Sequence, residues 1–227
     1  MRIIAFGDIH MATTKSREIP GISEADLILL TGDLTNYGAA PEAKKVLDEI
    51  MVINPNVLAQ FGNLDNPSVN DYLQDLGINL HGQAHLFNRQ ILFIGTGGSN
   101  RTPFHTPSEF SEDQLTDIVT SAHRQALEFM SLAEPLHKRT IPLVLVSHVP
   151  PYNTKTDKLH NGRHVGSRAI RSFIEQHQPD LCISGHIHES KGIDSIDNTP
   201  IYNSGMLRQG GWITINLSQS KLEVSLQ

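Results

Sequence analysis

Five short apolar segments of this chain each end at a polar side chain that could bind a metal ion. In four of the five, a glycine directly precedes that polar residue, and glycine lets the backbone and a ligand approach closely. Functional side chains in α/β proteins gather beyond the carboxyl ends of the strands. The pattern therefore favours an α/β fold with one site at the strand ends. The five junctions are Gly7-Asp8-Ile9-His10, Thr31-Gly32-Asp33, Gly62-Asn63, Ser147-His148 and Gly185-His186-Ile187-His188.

The order of predicted elements indicates a sheet with parallel strands. The first three predicted strands span residues 2–6, 27–30 and 57–61. A helix is predicted between the second and the third, with one apolar face formed by Val46, Leu47 and Ile50. Strand, helix, strand is the order typical of parallel sheets with crossovers.

The remaining chain continues this alternation and ends in strands. Ser111 and Gln114 form a capping-box pattern, which predicts that a long helix begins there. The sequence also predicts a short helix ended by Gly77 and another near residues 167–177. Further strands are predicted at residues 84–87, 90–94, 143–146, 181–184, 201–205, 212–217 and 222–226. No shift in composition marks a boundary, so we expect residues 1–227 to form a single domain.

Charge and composition exclude several classes of function. The net charge of −6 and the pI near 6.0 are a poor match for nucleic acid, so stable nucleic-acid binding is not expected. A small phosphate ester remains a suitable substrate, because a bound metal ion can reverse the local field. We found no secretory signal and no stretch near the roughly 20 apolar residues of a membrane span. We therefore expect a cytoplasmic protein without membrane contact; a homo-oligomer stays open.

The seven candidate ligands comprise two carboxylates, one amide and four imidazoles. Mixed oxygen and nitrogen sites suit divalent transition metals better than calcium or magnesium. Asp8 and His10 are two residues apart and would point to the same side of an extended segment, as would His186 and His188. Asp33 stands alone and could bridge two metals through its two oxygens.

The ordered motifs GD-x-H, GD, GN, H-x-PP and GH-x-H resemble the calcineurin-like metallophosphoesterase family, most closely its small prokaryotic members. The resemblance implies an α/β fold, a four-layer α/β-β/α sandwich of two mixed sheets flanked by helices. It also implies two divalent ions, from among Mn, Fe, Zn, Ni and Co, with Mn favoured. It assigns Asp8, His10, Asp33 and His188 to one metal, and Asp33, Asn63, His148 and His186 to the other. A metal-bridging hydroxide would then attack phosphorus in line.

Leu64 is the main departure from that family pattern. Many members carry a histidine directly after the asparagine, where it is thought to protonate the leaving oxygen or steady the phosphate. Leucine cannot donate a proton, and general acid catalysis is typically worth about 10²–10⁴-fold. We therefore expect a phosphodiesterase, with a phosphomonoesterase or protein phosphatase as the alternative. A non-catalytic interaction module is less favoured, because every family ligand is present.

Other residues could replace the missing histidine or bind substrate. His164, in the loop after the His148 motif, is the best candidate for an acid or a substrate contact, and with Asp33 it is an expected catalytic residue. His160, Arg101 and Asn63 are further candidates for substrate binding. Asp65 either caps a following helix or supports the site from behind. Three more histidines fall in predicted helical stretches and are expected at the surface or in a groove: His123, His137 and His177.

Overall fold

A computed structural model gives the structure of the protein and describes residues 1–133 and 141–227. Thirteen strands lie in these ranges: β1 Arg2–Phe6, β2 Leu27–Leu30, β3 Val57–Ala59, β4 Ala84–Phe87, β5 Ile91–Thr96, β6 Ser99–Asn100, β7 Glu109–Phe110, β8 Leu143–Ser147, β9 Leu181–Ser184, β10 Gly192–Ile196, β11 Thr199–Asn203, β12 Ile213–Ser218 and β13 Lys221–Leu226. The α-helices are α1 Ala40–Ile53, α2 Ser68–Asp75, α3 Glu112–Ala133 and α4 Arg168–His177. Short 3₁₀ helices span Thr13–Glu18, Lys155–Asp157, His188–Ser190 and Leu207–Gln209.

Two large mixed sheets form the centre of the fold. The first has the strand order β13-β12-β1-β2-β3, in which β1, β2 and β3 are parallel. The second has the order β10-β11-β9-β8-β5-β4, in which β11, β9, β8 and β5 are parallel. β6 and β7 form a separate two-stranded ribbon.

Alternation along the strands creates four layers. Ile3 and Ala5 of β1 belong to an apolar cluster between the two sheets, together with residues of β8 and β9. Ile4 and Phe6 of the same strand face a second cluster, which includes buried residues of α1 and α2. A third cluster joins the other face of the second sheet to α3 and α4. This confirms the expected sandwich of two mixed sheets flanked by helices.

Most predicted elements are confirmed, with three differences. The capping box at Ser111 is present, since its backbone and side chain exchange hydrogen bonds with Gln114 and α3 follows. The third strand ends at Ala59 rather than at residue 61. β10 was not predicted, because its only strongly apolar residues are Ile193, which is 49% exposed, and Ile196. The two-residue strands β6 and β7 were also not predicted. None of the helices in the described ranges combines the length and apolarity that crossing a bilayer requires.

Candidate metal centre

Each of the five predicted junctions follows the carboxyl end of a parallel strand, and both sheets contribute to one site. Residues after β1, β2 and β3 come from the first sheet, and residues after β8 and β9 come from the second. The first sheet supplies Asp8, His10, Asp33 and Asn63, and the second supplies His148, His186 and His188.

Four of these seven residues have a left-handed backbone. Asp8 and His10 both have φ of 48°, Asp33 has φ of 50° and His186 has φ of 64°. The two residue pairs expected to be extended are therefore not extended, and that prediction is wrong. Backbone hydrogen bonds hold the turn instead: Asp8 N donates to Gly32 O at 2.9 Å, and His10 N donates to Asp33 O at 3.1 Å. Tight turns after the strands, rather than alternation, bring the side chains together.

One group of side chains comprises Asp8, His10 and His188, whose donor atoms all lie within 4.8 Å of one another. His188 Nε2 lies 3.0 Å from Asp8 Oδ1 and 3.2 Å from His10 Nε2. Two neutral imidazoles satisfy each other only if one of the facing nitrogens carries hydrogen. A cation between them would accept both lone pairs, so the donor set fits a metal ion.

A second group contains Asp8, Asp33 and His148, also within 4.8 Å. His148 Nε2 lies 3.5 Å from Asp33 Oδ1 and 3.2 Å from Asn63 Oδ1. The other oxygen of Asp33, Oδ2, lies 3.9 Å from His10 Nε2. Asp8 thus belongs to both groups, and Asp33 directs one carboxylate oxygen toward His148 of the second group and the other toward His10 of the first.

Hydrogen bonds from behind orient several of these side chains. His148 Nδ1 lies 3.1 Å from the Thr31 carbonyl oxygen, which can accept a hydrogen only, so Nε2 keeps its lone pair for the site. The Asn63 amide nitrogen donates to Thr106 Oγ1 at 2.9 Å, which turns Asn63 Oδ1 toward His148. Such supporting contacts fix both the tautomer and the direction of a metal ligand.

Burial and charge shift the pKa values of three groups. Burial opposes ionisation of Asp33, but the charges of His148 and His10 outweigh it and lower the Asp33 pKa to about 2. Burial also opposes protonation of His148, but Asp33 outweighs it and raises the His148 pKa to about 9. Burial, with the charge of His148, lowers the pKa of His186 to about 4, which keeps this imidazole neutral. Without metal, Asp33 and His148 form an ion pair that a metal ion would replace.

The glycines before the ligands are required by close contacts. A Cβ atom on Gly62 would overlap Asp33 Oδ1 and the Asp33 backbone nitrogen, and one on Gly185 would overlap Asp8 Oδ2. The close approach expected from the sequence is therefore present at both carboxylates.

Asp65 is fully buried and supports the site from behind. Its carboxylate accepts hydrogen bonds from Leu34 N at 3.0 Å, Thr35 N at 2.8 Å and Gly62 N at 2.8 Å. It thereby ties the loop that carries Asp33 to the loop that carries Asn63. The alternative role as a helix cap is not seen, because α2 has no side-chain cap.

A cavity of about 630 Å³ opens beside the two groups of ligands. Asp33, Asn63, His186 and His188 line it, as do Leu64 and two of the predicted substrate contacts, Arg101 and His164. His160, the one remaining predicted substrate contact, is not among the lining residues; its side chain is 84% exposed, and its Nε2 lies 3.3 Å from Glu189 Oε2.

The other histidines of predicted helices lie elsewhere. His123 of α3 and His177 of α4 both pack against Phe173, and the centroids of the two imidazole rings are 4.3 Å apart. Neither histidine lines the cavity. His137 lies outside the described residues.

Sequence reasoning missed two supporting residues. Thr106 carries the hydrogen bond to Asn63, and the buried Asp157 lies 2.6 Å, from Oδ1 to Nδ1, from His164. Neither stands in a motif, and each meets its partner only through the tertiary fold, so no signal in the sequence identifies them.

Comparison with known proteins identifies the family of this chain. Residues 1–190 match the calcineurin-like phosphoesterases. An uncharacterised protein of Methanocaldococcus jannaschii is 34% identical over 211 residues, which cover 89% of this chain and 87% of that protein.

Solved structures agree in fold. A protein from Thermus thermophilus has a TM-score of 0.66 at 18% identity, covering 99% of this chain and 97% of its own. A dimetal phosphatase from Danio rerio has a TM-score of 0.60 at 12% identity, covering 100% and 95%. At these identities the likeness concerns the fold alone. The sequence match carries the conclusion that this chain belongs to the calcineurin-like phosphoesterase family, whose members hydrolyse phosphate esters at a dinuclear divalent metal centre.

Proposed function

We propose that this chain is a phosphodiesterase whose two metal ions are held by the seven residues of the strand junctions. Metal-dependent hydrolysis of phosphate esters follows from family membership. The ligand assignment, the preference for diesters and the use of His164 as general acid are the additional claims. Manganese, a cytoplasmic location and any homo-oligomer stay predictions.

The observation that carries the proposal is the convergence of the donor atoms from both sheets. The geometry of Asp33 supports its proposed role as the ligand shared by both metals. Its Oδ1 lies 3.5 Å from His148 Nε2, and its Oδ2 lies 3.9 Å from His10 Nε2. Two divalent ions, when bound, supply Lewis acidity and lower the pKa of water toward ~7. The protein's own residues hold the donors in place, and Arg101 at the cavity wall suits a phosphate oxygen.

Two features support a diester substrate. Leu64 lines the cavity where many relatives have histidine, so the proton donor of those relatives is absent from its position. The cavity also extends well beyond the space needed for phosphate, past Tyr152 and Leu159, which leaves room for a substituent on each side of phosphorus. A phosphomonoesterase remains the second candidate, because His164 lines the same cavity and could protonate the leaving oxygen of either ester.

The test is a hydrolysis screen of the protein reconstituted with manganese, iron, zinc, nickel or cobalt. We expect higher kcat/KM for bis(p-nitrophenyl) phosphate than for p-nitrophenyl phosphate. Asp33→Asn should lower both by more than about 10²-fold and reduce bound metal, whereas Asp71→Asn on the exposed side of α2 should not.

Three outcomes would count against parts of the proposal. A faster monoester would overturn the diester preference. Full metal content and rate in Asp33→Asn would overturn its place as the shared ligand. A protein that neither binds divalent ions nor hydrolyses either ester would favour the interaction-module alternative.

A further inference from the structure

We infer that Asp157 is a positioning residue for His164, and that the pair presents the imidazole Nε2 to the substrate cavity as the proton donor for the leaving oxygen. The inference rests on the proposed function and extends it to a residue outside the family motifs. It explains how the site works with leucine at position 64.

The contact between the two side chains is short and directional. His164 Nδ1 lies 2.6 Å from Asp157 Oδ1, the carboxylate is fully buried, and the imidazole is 25% exposed. An ionised carboxylate only accepts hydrogen bonds, so Nδ1 carries the hydrogen and donates it. That leaves Nε2 as the nitrogen that gains and loses a proton. The same division of roles holds in the Asp–His part of serine protease triads.

The backbone holds the Asp157 carboxylate in place independently of the imidazole. Oδ1 also accepts from Thr154 N at 2.9 Å, and Oδ2 accepts from Asn153 N at 3.1 Å and Gly166 N at 2.9 Å. Three backbone N–H groups therefore fix the position of this buried carboxylate. Asp157 is thus a fixed acceptor toward which the ring of His164 turns.

A hairpin holds the imidazole on the other side. Lys158 pairs with His164 in an antiparallel bridge, and Leu159 N donates to Arg163 O at 2.8 Å. The Tyr152 ring lies edge-on to the imidazole with centroids 6.0 Å apart. A side chain held from two directions suits proton transfer, which needs a fixed distance to the reacting atom.

The position of His164 singles it out among the histidines that are not proposed metal ligands. Of those in the described ranges, it alone lines the cavity that Asn63 and His186 also line. His160 points to solvent and pairs with Glu189.

The proton transfer balances as follows. A water molecule gives one proton to solvent and its oxygen forms a bond to phosphorus, while the bond from phosphorus to the leaving oxygen breaks with its electron pair on that oxygen. The proton on His164 Nε2 passes to the leaving oxygen, so the alcohol departs neutral. The neutral imidazole keeps its hydrogen bond to Asp157 and takes a new proton from solvent.

The test measures kcat/KM for aryl phosphodiesters whose leaving phenols differ in acidity. With a general acid in place, kcat/KM depends only weakly on the acidity of the leaving phenol. We expect His164→Ala to slow the poorest leaving group about 10²-fold more than p-nitrophenolate. Asp157→Asn should act in the same direction, with a loss of kcat/KM about 10-fold larger for the poorest leaving group than for p-nitrophenolate.

The double variant separates positioning from a structural role. If Asp157 acts only through His164, Asp157→Asn adds no further loss in the His164→Ala background. Asp194→Asn is a matched control. Asp194 Oδ2 accepts a hydrogen bond from Lys155 N at 2.7 Å, and Lys155 lies in the same 3₁₀ helix as Asp157, but Asp194 is not bonded to His164. That control should leave the dependence on the leaving group unchanged.

Each result decides between the claims. Equal losses from Asp157→Asn with and without His164 would show that Asp157 only stabilises the loop. A leaving-group dependence unaltered by His164→Ala, in an active metal-loaded enzyme, would overturn the inference and leave the proposed function standing. A wild-type protein inactive on every ester would overturn both.

Discussion

Four of the proposed metal ligands have positive φ angles, which residues other than glycine rarely adopt. Each such residue costs on the order of 1–3 kcal/mol and persists only where its surroundings over-determine it. Here the surroundings are specific: Asp33 O accepts from both Ile9 N at 2.9 Å and His10 N at 3.1 Å, so the first two ligand loops are locked to each other. The ligands are therefore held in place before any metal binds.

The glycine at position 62 gives a prediction about this locking. In Gly62→Ala the new Cβ atom would overlap the Asp33 carboxylate and backbone nitrogen, so the Asp33 loop must move. We expect metal affinity to fall about 10- to 100-fold, the range typical for loss of outer support of a ligand, with a parallel loss of hydrolysis. The measurement is a metal titration followed by calorimetry.

Gly192→Ala is the matched control for that change. At Gly192 the nearest atom to a new Cβ is Ser190 O at 3.8 Å, an ordinary contact. Its metal affinity should equal that of the wild type. Unchanged affinity in Gly62→Ala would mean that the Asp33 loop adapts without cost.

At the level of elements, burial explains which strands could be predicted from sequence. β1, β2, β8 and β9 lie between two apolar layers, so nearly every residue is apolar or small and the runs are easy to recognise. β10 lies at a sheet edge with alternating exposure and few apolar residues, and it gave no such signal.

The candidate site shows the same division between local and distant information. The proposed ligands directly follow strands, so their residue types could be predicted. The left-handed turns that orient these side chains could not, because residues other than glycine adopt them. Asp157 and His164 are seven residues apart, and only the hairpin between them makes them neighbours.

His81 supplies a prediction at the same scale. It lies between Phe61 and Phe110, and its Nδ1 accepts from Gly97 N at 3.0 Å, joining the segment between α2 and β4 to the loop before β6. Burial lowers its pKa to about 4. Since the unfolded chain has the higher pKa, near 6.5, it binds more protons between these values, and stability falls as pH falls through that window.

We expect this residue to account for about 3 kcal/mol of the acid-side loss in unfolding free energy. His81→Asn keeps an acceptor near Nδ1 and removes the titration, so it should flatten the dependence between pH 6.5 and 4. Denaturant unfolding across that range measures it. His85→Asn is a control, as His85 is also partly buried and its Nε2 lies 2.9 Å from Asn79 O. An equally steep acid-side loss in His81→Asn would assign the effect to other groups.

Over the whole molecule, charge is distributed unevenly. The chain carries a net charge of −6, yet Arg101, Arg163 and Arg168 line the cavity, and among the described residues none has a carboxylate oxygen within 4.0 Å. Their charges are therefore free to attract an anionic substrate toward the metal ligands. The carboxylates of Asp33, Glu112 and Glu189 line the same cavity, so formal charges of the two signs are equal in number there before any metal binds.

The ligands also connect the two halves of the sandwich, which leads to a prediction about global stability. Four come from the first sheet and three from the second, so metal bound by all seven should oppose separation of the sheets during unfolding. At a free metal concentration of about 100 times the dissociation constant, binding adds about 2.7 kcal/mol. For a chain of this size that corresponds to an increase in Tm of about 5–10 °C.

Thermal unfolding with and without manganese, and after chelation, measures this increase. Asp33→Asn from the first sheet and His186→Asn from the second should each lose most of it, because each removes a ligand from one side of the same centre. Asp71→Asn should keep it, since Asp71 is exposed on α2 and belongs to neither group of ligands. If the first-sheet variant loses the increase but the second-sheet variant keeps it, His186 does not hold either ion. His186 would then contribute to substrate contact rather than to metal binding.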